Sequence, residues 1–185
     1  ATCPDEVREL VALGADPRRI SVAPCGVDLE LFTPSGPTEP TTRRARIAVL
    51  GRLVPRKGID LAVRALARLQ AAGQHDVELQ IVGGPSGPGA LDQDPEAKRL
   101  RALASELGVA EDVVFRGRLP RPAVPAFLRS CTAVVCTPWY EPFGIVPLEA
   151  MAFAVPGVLA AVGGLQDSVG DQVTGRHIPP QDDDA

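Results

Sequence analysis

The sequence predicts an α/β fold, a Rossmann-like parallel sheet with helices on both faces. Short, continuously apolar runs alternate with segments of helical spacing, and most of the runs end at a glycine or a polar loop. Strands that are apolar throughout are typical of parallel sheets covered on both faces. A chain of 185 residues with 45% hydrophobic and 23% charged residues is ordinary for one globular domain.

The amino-terminal half carries the clearest elements. Apolar residues at helical spacing, ended by Gly73, predict a helix over 58–72. Asp94 and Pro95 are a helix cap and a first helical residue, so a second helix is expected from there to Gly108. The other predictions in this half are a helix over 5–13, strands over 20–23, 46–50 and 77–82, and loops over 33–42 and 83–92.

The carboxyl-terminal half continues the alternation with shorter elements. A strand over 113–115 precedes a helix over 122–130, and a strand over 133–136 precedes a helix that follows Gly144. A weak strand over 158–160 is the last element expected.

Composition excludes several classes of protein. A formal net charge of −4 argues against nucleic-acid binding. No apolar run approaches the roughly 20 residues that span a bilayer, and no secretory signal is recognisable. The four cysteines form no Cys-x-x-Cys pair, which favours free thiols over a zinc site or disulfides.

The most informative stretch contains two carboxylates separated by seven residues, Glu141 and Glu149. An apolar strand precedes Glu141, and a Pro-Phe-Gly turn leads from it into a helix. The first acid therefore lies at the carboxyl end of a strand, where α/β proteins bind ligands. The second lies about one turn into the helix and can face the same crevice.

This spacing resembles the Glu-x7-Glu signature of retaining, nucleotide-sugar-dependent glycosyltransferases of the two-domain GT-B fold. The closest resemblance is to the family 4 group, which includes sucrose and sucrose-phosphate synthases, mycothiol glycosyltransferases and bacterial mannosyltransferases. Further landmarks of this group occur in the same order and extend the resemblance over nearly the whole chain: 24–28, 51–53 with 56–58, 82–84 and 162–165.

The resemblance implies that residues 1–185 are the carboxyl-terminal, nucleotide-sugar-binding domain of a retaining hexosyltransferase. The chain begins at Ala1 without a methionine and stops at 182–185, where the family continues into a helix. We therefore expect a domain truncated at both ends, without its amino-terminal acceptor domain and inactive alone. The acceptor is unknown. The expected location is the cytoplasm, with peripheral attachment at the inner membrane face as an alternative for the intact enzyme.

The resemblance also implies a role for each site residue. Arg52 and Lys57 hold the diphosphate, Glu141 the transferred sugar, and Glu149 the ribose. Fixed cations there stabilise the negative charge that develops on the leaving diphosphate. These cations and a helix start can replace a metal, so neither a metal nor a cofactor is implied. The backbone supplies the other contacts, at Gly83, Leu119, Phe143, Gly144 and Ile145.

Blander interpretations remain open for the same residues. Arg52 and Lys57 are also consistent with a solvated basic loop, Glu141 with a carboxylate that complements a helix start, and Glu149 with a partly exposed helix acid. Gly83 and Gly144 are also consistent with ordinary turns. At the level of function, a non-catalytic nucleotide-sugar-binding module and a nucleotide-sugar epimerase are the alternatives.

One segment departs from the family pattern. Phe153 and Ala154 replace a small, Cys-Gly-like pair, and Gly157 stands within the following strand, where it weakens pairing. Gln172 replaces a usual glycine. These changes predict weak packing over 153–172 rather than loss of the donor contacts.

Overall fold

A computed structural model describes residues 1–181, and its centre is a sheet of six parallel strands. Every neighbouring pair runs parallel, which confirms the predicted Rossmann-like sheet. The strands are β1 (Ala45–Leu50), β2 (Val77–Val82), β3 (Val113–Gly117), β4 (Ala133–Cys136), β5 (Gly157–Ala160) and β6 (Gly175–Ile178).

Helices connect the strands. Asp94 accepts a hydrogen bond from the backbone N–H of Ala97 at 2.8 Å, so the predicted cap is observed. None of the helices within residues 1–181 is both long enough and apolar enough to cross a membrane. The helices are α1 (Pro4–Ala12), α2 (Ile59–Ala71), α3 (Ala90–Gln93), α4 (Pro95–Glu106), α5 (Val124–Arg129), α6 (Ile145–Met151) and α7 (Leu165–Ser168).

The strand order is β3-β2-β1-β4-β5-β6, so the direction of winding reverses between β1 and β4. These two strands pair directly, with Ile47 beside Ala133. The loops that follow β1 and β4 leave the sheet on opposite sides, which opens a crevice at their carboxyl ends. The topology therefore places the loop after Leu50 beside the loop after Cys136.

Two apolar cores lie on the two faces of the sheet. On one face α2 and α4 pack through Leu66 and Leu100 against Ile81. On the other face Phe127 of α5 packs with Phe32 and other buried residues. The expectation of helices on both faces is confirmed.

The structure corrects several details of the predicted elements. The strand predicted over 20–23 was wrong, because that segment joins no strand of the sheet. Its backbone bonds run instead to the chain start, where Ala23 donates to the carbonyl of Ala1 at 2.8 Å. Helix α3 overlaps the end of the predicted loop 83–92, and α7 and β6 were not predicted, since four residues carry too little periodicity. The predicted chain end at 182–185 lies outside the described residues.

The segment that departs from the family pattern contains two strained residues. Ala154 and Gln172 have φ values of 56° and 59°, in the left-handed region that favours glycine. Phe153, in contrast, is accommodated, because its ring packs 5.8 Å from that of Phe32. The predicted weakness is therefore backbone strain at two positions rather than a misfit of the large side chain.

Candidate functional site at the carboxyl ends of the central strands

A cavity of about 240 Å³ opens at the carboxyl ends of β1 and β4, at the reversal of strand order. Its deep walls are apolar and come from residues of both strands, and Leu165 closes one side. Five residues that the sequence predicted for the site line it: Arg52, Lys57, Glu141, Gly144 and Ile145.

Two loops are locked together to build this cavity. The hydroxyl of Thr137 donates to the carbonyl of Gly58 at 2.8 Å, and the backbone N–H of Trp139 donates to the carbonyl of Arg56 at 2.9 Å. The Arg56 guanidinium returns a bond to the carbonyl of Tyr140 at 3.0 Å. Gly58 has a φ of 60°, and a Cβ on it would lie 1.9 Å from the carbonyl oxygen of Thr137. Only glycine permits this contact between the loops.

The locked loops bring Lys57 to Glu141. The Lys57 ammonium forms an ion pair with the Glu141 carboxylate, and each side chain is about one-fifth exposed. The Arg52 side chain, at the mouth of the cavity, is exposed and makes no hydrogen bond or ion pair with any other residue of 1–181. The site thus has one cation already neutralised and one free to meet an anion.

The loop that carries Glu141 is held from its other side by a pair of glycines. The backbone N–H of Gly164 donates to the carbonyl of Glu141 at 3.0 Å. A Cβ on Gly163 would lie 2.2 Å from that same carbonyl oxygen. Gly144, with a φ of 82°, lies so close to Leu165 that a Cβ would meet its Cδ2 at 2.3 Å. Contact with the Glu141 backbone therefore favours glycine at Gly163, and the left-handed backbone together with the Leu165 side chain favours it at Gly144.

Glu149 lies on α6 beneath the surface rather than in the cavity wall. The residue is 3% exposed, so it is not the partly exposed helix acid kept as an alternative. One guanidinium nitrogen of Arg121 donates to its Oε1 at 2.5 Å. Burial raises the pKa of Glu149, and the hydrogen bond and positive charge of Arg121 oppose that rise.

Arg121 is a residue of this site that no sequence motif indicated. It lies in the segment between β3 and α5, and β3 is the edge strand. That segment must cross back over the sheet, and this crossing brings Arg121 to α6. The signal in the sequence is a cation between Pro120 and Pro122, but the acid it meets depends on the strand order.

The remaining predicted residues lie around the cavity without lining it. A Cβ on Gly83 would lie 1.7 Å from the carbonyl oxygen of Gly51, so the approach of two loops explains this glycine without a ligand. Leu119 is partly buried against the second core, and Phe143 is half-buried before Gly144. No group of histidine, cysteine or acidic residues suited to a metal occurs within residues 1–181.

Cys136 lies in the cavity wall at the end of β4. Burial raises the pKa of its thiol to about 12, and nearby Lys57 only partly opposes this. The thiol is protonated at neutral pH and is therefore a poor nucleophile. All four cysteines are unpaired.

An open parallel α/β sheet with a crevice at its switch point defines the class of α/β domains that bind ligands at the carboxyl ends of their strands. Residues 36–185 match the family described as "Glycosyl transferases group 1". The chain therefore belongs to the group 1 glycosyltransferases, as the sequence resemblance predicted.

The similar proteins are longer than this chain. It is 41% identical to a D-inositol 3-phosphate glycosyltransferase of Kribbella flavida and 39% identical to that of Acidothermus cellulolyticus. The matches cover 97% and 96% of the chain but only 44% and 41% of those proteins, so it spans less than half their length.

Solved structures show the same relation. Sucrose-phosphate synthase of Thermosynechococcus elongatus matches the whole chain with a TM-score of 0.81 and 30% identity over 46% of its own length. Anabaena HepE, solved in complex with UDP and glucose, matches 99% of the chain with a TM-score of 0.82 over 49% of its own length. At 24% identity, this second likeness shows the fold alone.

Proposed function

We propose that this chain is the donor-binding half of a retaining glycosyltransferase that transfers a hexose from a nucleoside-diphosphate sugar. The observation that carries the proposal is the grouping of Arg52, Lys57 and Glu141 in one cavity at the switch point. The acceptor half is proposed to be a separate, amino-terminal domain of the kind that the greater length of the relatives allows.

The two cations would bind the leaving diphosphate. Arg52 is free and offers a planar, bidentate fork, while Lys57 offers a compact charge deeper in the cavity. Negative charge grows on the departing phosphate oxygen as its bond to the sugar breaks. Preorganised cations therefore stabilise the transition state more than the bound ground state.

Glu141 would contact hydroxyls of the transferred sugar. It lies beside Lys57, so the sugar and the adjacent phosphate would occupy neighbouring positions in the cavity. The volume of about 240 Å³ is below the roughly 300–1,000 Å³ typical of whole-ligand pockets. We therefore assign the cavity to the sugar and phosphates alone, with the nucleoside along the sheet edge toward Glu149.

Glu141 and Glu149 do not have the arrangement of a double-displacement pair. That mechanism needs two carboxyl groups about 5–5.5 Å apart across the scissile bond. Here one carboxylate lines the cavity and the other is buried under Arg121. The proposal is a front-face transfer, in which leaving group and acceptor occupy the same side of the sugar.

A binding experiment tests the donor site. Calorimetry of this chain with UDP, ADP and GDP should show weak binding of at least one nucleotide and its loss in Arg52→Ala with Lys57→Ala. Arg43→Ala is the matched control, because Arg43 is also exposed and unpaired within residues 1–181 but precedes β1 at the opposite edge. Equal binding by all variants, or none by the unsubstituted chain, would contradict the proposal.

Transfer is tested in a longer protein that contains this chain and an amino-terminal half. Because the relatives are D-inositol 3-phosphate glycosyltransferases, D-inositol 3-phosphate is the first acceptor to test in the transfer assay. A glycosylated acceptor supports transfer, free epimerised sugar nucleotide would indicate the epimerase, and binding without turnover would indicate a regulatory module. The cytoplasmic location and the absence of a cofactor stay predictions.

A further inference from the structure

Arg121 is the charged partner of Glu149, and the proposed function gives it no role. Arg121 donates to Glu149 Oε1 at 2.5 Å, and its guanidinium carbon lies 4.4 Å from the centre of the Phe32 ring. Phe32 is 1% exposed, so this ring is a fixed surface. Arg121 is thus held between an acid on α6 and an aromatic ring of the segment that precedes the sheet.

The backbone restricts Arg121 as well. It stands between Pro120 and Pro122 at the start of a single turn of 3₁₀-helix. Proline fixes its own φ and narrows the choices of the residue before it. Arg121 therefore reaches Glu149 from a stiff segment of backbone.

The geometry uses only one side of the carboxylate. Oε1 accepts the bond from Arg121, while Oε2 accepts no hydrogen bond from any residue of 1–181. An ionised carboxylate can accept about four hydrogen bonds, so Oε2 keeps its capacity for two hydroxyl donors. Vicinal ribose hydroxyls are donors of the required kind.

We propose that Arg121 is a positioning residue for nucleotide binding, which orients Glu149 through Oε1 and keeps Oε2 charged and available to ribose hydroxyls. The assignment rests on the proposed donor site and deepens it. Arg121 acts through Glu149 and not by contact with the nucleotide.

The ionisation of Glu149 supplies an observable that structural support alone would not change. Burial favours the neutral acid and raises the pKa of Glu149, and Arg121 opposes it. Within residues 1–181, Arg121 is the charged side chain that faces Glu149, and Phe32 beside it is uncharged. An opposite charge nearby lowers a carboxyl pKa, so loss of Arg121 should raise the pKa of Glu149 further.

The test is the pH dependence of UDP binding to this chain, measured by calorimetry between pH 5 and 8. If only ionised Glu149 accepts ribose, affinity falls by up to about tenfold per pH unit below its pKa. In Arg121→Gln this fall in UDP affinity should begin at a higher pH than in the unsubstituted chain. The titration of UDP itself is common to all variants and cancels in the difference.

Three further variants sharpen the experiment. Arg121→Lys keeps the positive charge, so the midpoint of the pH dependence of UDP affinity should stay near that of the unsubstituted chain. This variant remains informative if Arg121→Gln unfolds. Arg43→Gln loses the same charge at the opposite edge and should leave the midpoint unchanged. In a Glu149→Gln background, Arg121→Gln should change the dissociation constant less than about twofold, because the residues act as one unit.

The outcomes separate this assignment from the proposed function. If Arg121→Gln lowered UDP affinity equally with Glu149 and with Gln at position 149, Arg121 would act on the nucleotide by itself. The assignment would then fail, while the donor site would stand. An unshifted midpoint in Arg121→Gln would overturn it in the same way. Failure of the unsubstituted chain to bind UDP, ADP and GDP would overturn the donor site and this assignment together.

Discussion

The ammonium group of Lys57 pairs with the carboxylate of Glu141 across 84 positions of sequence. Both residues are ones that the family resemblance assigns to the donor, one to its diphosphate and one to its sugar. These two opposite charges of the site therefore neutralise each other, whereas Arg52 stays unpaired within residues 1–181. In the proposed donor site, the diphosphate would compete with Glu141 for the Lys57 ammonium.

Glu141→Gln should consequently tighten the binding of bare UDP while it lowers sugar transfer. A partly exposed ion pair is worth about 0.2–1 kcal/mol, so release of Lys57 should strengthen UDP binding by up to about fivefold. Calorimetry of this chain with UDP measures the gain, and Glu149→Gln, which leaves Lys57 paired, is the comparison. Weaker UDP binding in Glu141→Gln would show that Glu141 contacts the nucleotide instead.

Arg52→Ala should weaken UDP binding without a change in stability. The Arg52 side chain makes no hydrogen bond or ion pair within residues 1–181, so its truncation removes no such contact from the fold. A hydrogen bond to a charged group is worth about 1.5–3 kcal/mol, which corresponds to roughly 10- to 150-fold in affinity. Parallel thermal melts and UDP titrations test both parts, and a lower melting temperature with unchanged affinity would assign Arg52 to the fold.

Gly58→Ala should be more destabilising than the matched variant Gly108→Ala. Both glycines have left-handed backbones, with φ values of 60° and 74°, so alanine is strained at each by about 1–2 kcal/mol. Only at Gly58 would the new Cβ also meet a carbonyl oxygen, at 1.9 Å, whereas Gly108 has open space. Overpacking adds about 1–3 kcal/mol, and urea unfolding of the two variants measures the difference. Equal losses of unfolding free energy in the two variants would show that the two loops can move apart without cost.

Gln172→Gly should stabilise the fold slightly. Relief of the left-handed strain at Gln172 is worth about 1–2 kcal/mol, and the added chain entropy of glycine offsets about 0.5–1 of it. The net gain expected in urea unfolding is about 0.5–1 kcal/mol. Gln166→Gly is the control, because this exposed residue lies in α7 and should lose stability. A loss in both variants would mean that the side chain of Gln172 makes a compensating contribution.

Several features followed from the sequence because they depend on neighbours along the chain. Apolar runs specified most strands, and the Asp94–Pro95 cap specified the start of α4. The family pattern has a glycine where this chain has Gln172, and the left-handed backbone at Gln172 explains that glycine. In contrast, the segment 20–23 has the composition of a strand but lacks a partner, and composition carries no information about partners.

The sequence by itself determined the alternation of elements, the family and the acids and cations that cluster at the switch point. Only the tertiary structure decided which cation meets which acid. Lys57 reaches Glu141 because Gly58 lets two loops touch, and Arg121 reaches Glu149 because the chain crosses back from the edge strand. Charge attraction acts over a few ångströms in space whatever the separation in sequence, so such pairs are set by strand order and close packing rather than by any local pattern.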